Sequence, residues 1–509
     1  MTFLVAEIGK EDVILGYPWL AAYEPQFDWA KGTLNGEYHP VILSSTVPND
    51  QSPTIGALQL RDKEEILKQL EEECRGRSIA TDLARSTAGT GETTAIPAEY
   101  RDFASVFSEE EAERFPPSRP WDHAIDLKPN APDQINCQVY PMTPLEDQAL
   151  DDFIDEQLAK GYIRPSISPY ASSFFFIKKK DNKLRPVQDY RTINKWTVRN
   201  QYPLPLIPTL IYDLGGAHIY TKLDIRWGYN NVRIKEGDEW KAAFKTRRGL
   251  YEPTVMFFGL TNSPATFQAM MNHIYRNTII KHEALGTNIR IYMDDIAIAT
   301  KTPSLAAHTN AVRDVLQVAK EQSLYFKLSK CTFHATSIDY LGVILEKGVT
   351  RMDPVKVAGI RTWPTPKSVK DVRSFHGFCN FYRPFIAGFA KIALPLNRLT
   401  KKDTPFVWTP ECQKAFEALK RQVTSEPVLA HPDLTKQFEL EVDASGYAVG
   451  AVLLQRQVDN KRHPIGYYSA TLTPAERNYD IYDLELLAIV KALRNWRPFL
   501  AGSLCYAIT

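Results

Sequence analysis

An α+β architecture follows from three features of the chain. Apolar residues alternate in hairpin-like blocks up to about residue 345, the pattern turns mostly helical beyond about Thr350, and alternation returns from about Phe438. With 509 residues against the ~150 of an ordinary domain, three or four units are expected. Hydrophobic residues at 44% and charged residues at 24% are the balance of a globular chain with ample core. Lys plus Arg total 61 and Asp plus Glu total 60, so any basic surface is local rather than global. Six cysteines (Cys74, Cys137, Cys331, Cys379, Cys412, Cys505) lack metal-ligand spacing. They argue against a zinc module or a disulfide scaffold, and for a reducing compartment. No apolar run approaches the ~20 residues of a membrane span, and Glu7 interrupts the start too early for a secretion signal. Neither a secreted nor a membrane protein is expected.

The first stretch, to about Gly36, is apolar and turn-rich, with Val13, Ile14 and Leu15 leading into Gly16. From about Glu37 to Arg119 Ser, Thr, Pro and Gly crowd around a charged block, RDKEEILKQLEEE, which reads as a linker holding one solvated helix. Thr143 with Glu146 three residues on is a capping box, Pro144 suits the first helical position, and Gly161 is a left-handed stop. SSFFFI and LRPVQDY read as strands joined by the polar turn KKKDNK. A helix from Pro264 puts Phe267, Met271 and Ile274 on one face. In IRIYMDDIAIA, Ile289 and Ile291, then Ile296 and Ile298, alternate on either side of a two-residue turn, the pattern of a hairpin. Helices follow through Val312, Leu316 and Ala319 and from Ser368, with Asp371 as its capping partner. FELEVD, AVGAVLLQ and IGYYS read as strands, then a helix through Leu486, Ile489 and Leu493, and LCYAIT as a strand cut short.

Asp294 and Asp295 sit together at the tip of the apolar hairpin. Adjacent like charges raise each other's cost unless a cation intervenes, and carboxylate oxygens on a rigid tip suit hard divalent ions. Asp224, ending the strand-like TKLDI about 70 residues upstream, offers a third acid. A strand-end cap or an ion-pair partner is the plain alternative for Asp224, and a polar hairpin turn is the alternative for the other two. A basic finger is the second feature: Lys178, Lys179, Lys180, Lys183, Arg185 and Arg191 stand against two acids on an otherwise apolar hairpin. Such a patch neutralises a triphosphate or a nucleic-acid backbone, or is a solvated loop.

The blocks FFFIKKKDNKLRPVQDYRTINKWTVRNQYPLPLI, KLDIRWGYNNVRI, FFGLTNSPATFQ, IYMDDIAI and YLGVIL, in this order and spacing, resemble a reverse transcriptase. The resemblance is to the pol polyprotein of gypsy-type long-terminal-repeat retrotransposons and covers about residues 120 to 509. It implies a right-hand polymerase, with fingers and palm over 120–345 and thumb and connection over 346–432, followed over 433–509 by an incomplete α/β ribonuclease H-like domain. The implied activity is RNA-directed DNA polymerisation from deoxynucleoside triphosphates. Its partners would be an RNA template and a DNA primer or RNA–DNA hybrid, with a tRNA primer and a dimer as further options and no membrane. Residue by residue, Asp224, Asp294 and Asp295 match the metal-binding triad for two Mg²⁺ ions, with Mn²⁺ as a substitute. Asp295 is the least secure of the three, because neighbours in an extended strand face opposite ways. Lys179 and Arg185 match positions that grip the triphosphate. Tyr229 matches the ring that excludes ribonucleotides, Phe258 and Gly259 the pocket floor, and Tyr340, Leu341 and Gly342 the primer grip. Localisation would be intracellular, in cytoplasmic virus-like particles or the nucleus.

Three residues depart from the family's commonest pattern: Trp227, Phe257 and Trp196. At the N-terminus, DVILGYPWLAAYEPQFDW over 1–36 resembles the last strands of a retropepsin-like protease without its catalytic acid, so a protease remnant without activity is expected. At the other end Asp443 and Glu485 match two of the four metal-binding acids of a ribonuclease H, too few for a two-ion site, so cleavage is expected to be lacking. The rival to an active polymerase is an inert retroelement fragment that binds template–primer without catalysis.

Overall fold

The structure, a computed structural model, describes residues 95–178, 184–402, 404–425 and 427–508, together with the backbone of the short strands Thr2–Leu4, Phe27–Asp28 and Thr33–Leu34. The protease-like stretch otherwise, the charged helix of the linker and the finger turn with Lys179, Lys180 and Lys183 lie outside the described residues.

Local chemistry sets the first helix. In α1 (Pro144–Ala159) the Thr143 hydroxyl accepts from the Glu146 N–H while the Glu146 carboxylate accepts from the Thr143 N–H, a completed capping box. At the other end Gly161 (φ +70°) lets its own N–H reach Leu158 O and the Tyr162 N–H reach Gln157 O, closing the helix. β1 (Tyr170–Lys178) and β2 (Leu184–Asp189) pair antiparallel, from Ser173↔Asp189 to Lys178↔Leu184. Leu150 and Ile154 of α1 meet Phe174, Tyr190, Ile193 and Phe244 in the core of this first unit.

The second unit is built on β3 (Ile219–Asp224), α2 (Ser263–Glu283), β4 (Thr287–Tyr292), β5 (Asp295–Thr300), α3 (Leu305–Glu321) and β6 (Thr332–Ala335). Its sheet runs β4–β5–β3–β6. The two-residue alternation read in the hairpin does its expected job. Leu223, Ile289, Ile291, Ile296 and Ile298 pack against Phe267 and Met271 of α2 and Val312 and Leu316 of α3. Each such fully buried side chain contributes roughly 1.5–3 kcal/mol. The opposite face carries Tyr220, Ala297 and Ala299 against Ile338, Tyr340 and Val343. Those residues belong to β7 (Ser337–Tyr340) and β8 (Val343–Glu346), which with β9 (Val349–Met352) and Val428–Ala430 make a second sheet.

Part of the stretch read as a linker is built into this unit. Tyr100, Phe103, Val106 and Phe107 are buried against α3, and the Phe326 N–H donates to Val106 O. Aromatic residues spaced three and four apart carried that signal, but the Ser/Thr/Pro-rich surroundings masked it.

The third unit adds α4 (Val369–Phe381), α5 (Phe389–Leu399) and α6 (Pro410–Thr424), whose Phe375, Phe378, Leu396, Phe416 and Leu419 share one core with Tyr340 and Leu345. Ser368 caps α4 by accepting from the Asp371 N–H, and the Asp371 carboxylate reaches back to the Lys367 N–H, one residue further than a strict box. In the fourth unit β10 (Phe438–Ala444), β11 (Ala448–Arg456) and β12 (Arg462–Thr471) form an antiparallel run. After α7 (Ile481–Asn495), β13 (Leu504–Ile508) joins β10 in parallel and takes Thr2–Leu4 on its other side. The face α7 buries is Leu484, Ala488, Ile489 and Ala492; of the expected line, Ile489 is buried while Leu486 and Leu493 are half-buried. No helix among the described residues is long and apolar enough to cross a membrane.

Candidate active site

The strand register does what sequence spacing could not: Asp224 and Asp295 are direct cross-strand partners on β3 and β5. Directly opposed residues of an antiparallel pair share a face. Leu223 and Ile296 therefore point to the helices, while Asp224, Asp295 and Lys222 share the face that looks toward β7 and β8. The turn itself is Met293–Asp294, closed by Tyr292↔Asp295. Asp295 thus opens the returning strand rather than sharing the tip with Asp294, and alternation along one extended strand does not govern the pair. Asp294 O accepts from the Ile225 N–H at 2.9 Å, which ties the turn to the residue after Asp224.

Electrostatics mark this corner as costly. Burial chiefly, with Asp224 adding to it, pushes the Asp294 carboxyl above the ordinary range. Burial again leads for Asp295, pushed up to about 6 despite the nearby Lys222 ammonium. About a quarter of the Asp295 side chain stays accessible, so water tempers that shift. Two lysines supply the balancing charge. Lys330 Nζ lies 3.0 and 3.2 Å from the two Asp224 oxygens, and Lys222 Nζ lies 3.3 Å from Asp339 and 3.8 Å from Asp295. Burial works against the Lys222 charge, but its acidic neighbours outweigh it and hold its pKa above the usual amine range.

Among the described residues no three His, Cys, Asp or Glu side chains form a finished metal cage. The donor set nevertheless fits a hard divalent ion. It consists of carboxylate oxygens whose negative charge is already crowded enough to draw ammonium groups onto it.

Beside the acids lies an aromatic pocket. Tyr229, on the turn Gly228–Asn231, sets its ring 4.8 Å from Phe258 and 5.8 Å from Phe267. Burial, with Asp294 next, pushes its hydroxyl well above the usual phenol range. Phe258 is 57% exposed, and the Arg185 guanidinium stands 5.0 Å from its ring. Gly259 has φ +107°, and a Cβ there would come within 3.3 Å of Gln188 O and the Tyr190 ring, so the close approach needs glycine. Arg185, Tyr229, Phe258 and Gly259 are therefore brought together, whereas Lys179 lies outside the described residues.

Tyr340, Leu341 and Gly342 make the β7–β8 turn, with Leu341 at φ 48° and Gly342 at φ 91°. Tyr340 is fully buried against the acid-bearing face of the sheet, and the Tyr382 hydroxyl donates to Gly342 O at 2.8 Å. Asp443, paired with Gly450 on β10, and Glu485, in the early turns of α7, are both exposed, in a different unit from the acids above.

The unusual residues have structural roles. Trp227 adopts the left-handed region (φ 52°), with Lys160 4.9 Å and Arg226 5.7 Å from its ring. Phe257 is buried beside Phe153, and Trp196 packs on the core of the first unit. Sequence reading missed Lys222 and Lys330. Two-residue periodicity placed Lys222 on the Asp224 face, whereas nothing local marked Lys330.

Residues 177–345 match the family described as reverse transcriptase (RNA-dependent DNA polymerase), and residues 408–506 the RNase H-like domain found in reverse transcriptase. The Transposon Tf2-3 and Tf2-7 polyproteins of Schizosaccharomyces pombe are each 38% identical over 411 residues, 80% of this chain and 30% of theirs. The chain thus spans about a third of the length of these relatives. Among solved structures, a foamy viral protease–reverse transcriptase with double-stranded DNA aligns at TM-score 0.69 and 20% identity, over 85% of this chain and 74% of that one. A foamy viral protease–reverse transcriptase with an RNA/DNA hybrid gives 0.68 at 20% identity, over 85% of this chain and 57% of that one. The likeness establishes the fold: fingers, palm and thumb, then an RNase H-like unit.

Proposed function

We propose that this chain is the polymerase portion of a retrotransposon polyprotein, which extends a primer 3′-hydroxyl with deoxynucleoside triphosphates on an RNA or DNA template. The observation that carries the reading is the register of the palm sheet, which sets Asp295 directly opposite Asp224 with Asp294 in the adjoining turn, beside an aromatic pocket.

Asp224, Asp294 and Asp295 would hold two Mg²⁺ ions, with Mn²⁺ able to substitute. When bound, such ions lower the pKa of the primer hydroxyl and offset the charge of the departing pyrophosphate. The rest falls to the chain's own groups. Arg185, with Lys179, holds the triphosphate; Phe258 and Gly259 floor the base and sugar; the Tyr229 ring fills the space a 2′-hydroxyl would need. The Tyr340–Gly342 turn holds the primer strand against the acids. Lys330 and Lys222 neutralise the acids between substrates. The template and hybrid partners belong to this proposal, supported by the nucleic acids present in the structural neighbours.

Primer extension on an RNA template with Mg²⁺, comparing wild type with Asp294→Asn, is the test. Losing one electrostatic group from the reacting centre costs ~10²–10³ in rate. Incorporation that persists at the wild-type rate in Asp294→Asn discards the metal assignment. Tight hybrid binding with no incorporation by the wild type supports the inert-fragment alternative.

A further inference from the structure

Gln268 closes the block FFGLTNSPATFQ, and the site described above leaves it without a role. It lies on α2 with no exposed surface, and its side-chain amide spans the hairpin that carries Asp294. Nε2 donates to Ile291 O at 3.1 Å, on the last turn-side stretch of β4. Oε1 accepts from the Met293 N–H at 2.8 Å. The second Nε2 hydrogen goes to Asn272 Oδ1 at 2.9 Å, and Asn272 Nδ2 donates in turn to the Tyr202 hydroxyl at 2.8 Å.

The bond to Met293 matters because of that residue's backbone. Met293 holds φ 57°, in the left-handed region that long side chains avoid. Such a conformation persists only where its surroundings over-determine it. Here the restraint grips the strained residue's own N–H and the carbonyl two residues before it, and the next residue is Asp294. The chemistry demanded is specific. One oxygen must face a backbone donor while one NH₂ faces two acceptors. A carboxylate cannot donate, a thioether can do neither well, and asparagine is one carbon short.

We propose that Gln268 is a positioning residue for nucleotidyl transfer: through its amide it fixes the Met293–Asp294 turn so that Asp294 meets Asp224 in the register the reaction needs. It touches neither substrate nor ion, and the proposal rests on the polymerase reading above. Asn272 and Tyr202 extend the brace toward the loop that precedes the helix Ile207–Leu214.

Single-turnover incorporation of one nucleotide on an RNA template tests it, with Gln268→Met and Asn272→Ala beside wild type. A misplacement of ~1 Å costs up to ~10²-fold in rate. For folded Gln268→Met we expect the rate at saturating nucleotide to fall about 30- to 100-fold. The KM for nucleotide and the Kd for hybrid should stay within about threefold, the signature of an interaction felt in the transition state alone. Asn272→Ala, at a half-buried outer link, should lose about three- to tenfold in the same parameter and keeps the test alive if Gln268→Met fails to fold. Wild-type rates in both variants, or a loss confined to KM or hybrid affinity, overturn the assignment. An inactive wild type overturns the polymerase reading itself, so the two failures are distinct.

Discussion

Asp224 ends β3 of the palm sheet, and Asp443 lies one residue from the end of β10 in the C-terminal sheet, each on a strand with helices packed behind it. Their surroundings differ. The palm acid is 9% exposed, faces Asp295 directly across the ladder and holds the Lys330 ammonium at 3.0 Å. Asp443 is exposed and faces Gly450. Motif matching treats the two as equals, since each satisfies a metal-binding pattern. The physical contrast separates them. Concentrating buried negative charge is costly, and that cost at the palm corner is what favours it over the C-terminal sheet in the proposed function.

The largest effect should come from breaking the contrast at its strong side. Asp224→Asn is expected to cut incorporation by ~10²–10³, while Asp443→Asn leaves it within about twofold, as primer extension with both variants will show. Equal losses would erase the distinction between the sheets. Next comes Tyr229. Replacing it with alanine opens the space beside Phe258, and discrimination against ribonucleotides should fall by ~10–200-fold, read from paired incorporation rates with rATP and dATP. Unchanged selectivity removes the ring from that role.

The raised Asp295 pKa makes a stability prediction. A carboxyl whose folded pKa (about 6) lies above its unfolded value (3.8) binds its proton more tightly in the native state. Its stabilising effect is thus present below about pH 4 and is lost as pH rises through about 6. Without divalent ions, Asp295→Asn should therefore raise stability at pH 7 by about 1–2 kcal/mol and flatten its decline between pH 4 and 6, measured by urea unfolding. A destabilised variant would mean that the acid gains more from Lys222 than it loses by burial. The smallest effect concerns the finger. Arg185→Ala should raise the KM for nucleotide by about three- to tenfold, with hybrid affinity little changed, as expected for the loss of one charged contact to the triphosphate. An unaltered KM takes Arg185 off the triphosphate.

Much of this was legible before any coordinates. The capping box at Thr143, the stop at Gly161 and the alternating isoleucines of the hairpin are short-range signals, and each became the element its chemistry demands. Three acids are legible as a set because two are adjacent in one hairpin and one ends a strand. Their facing geometry is not, because register depends on the pairing of β3 with β5 across some seventy intervening residues. Reasoning from alternation along one strand cast doubt on Asp295; the sheet makes it the partner of Asp224, because the turn lies at 293–294. Lys330 was invisible for the same reason: its contact with Asp224 is purely tertiary. The buried aromatics at 100–107 are poorly legible because their three- and four-residue spacing is set in Ser/Thr/Pro-rich surroundings.

Under the proposed function, catalysis at the palm would require its acids to act together as a divalent-ion site. Counting bound Mn²⁺ by electron paramagnetic resonance, with hybrid and an unreactive nucleotide analogue present, examines this directly. Two ions per wild-type chain, and fewer than one in Asp224→Asn and Asp294→Asn with hybrid still bound, is the predicted result. The same number of ions in all three proteins would contradict it.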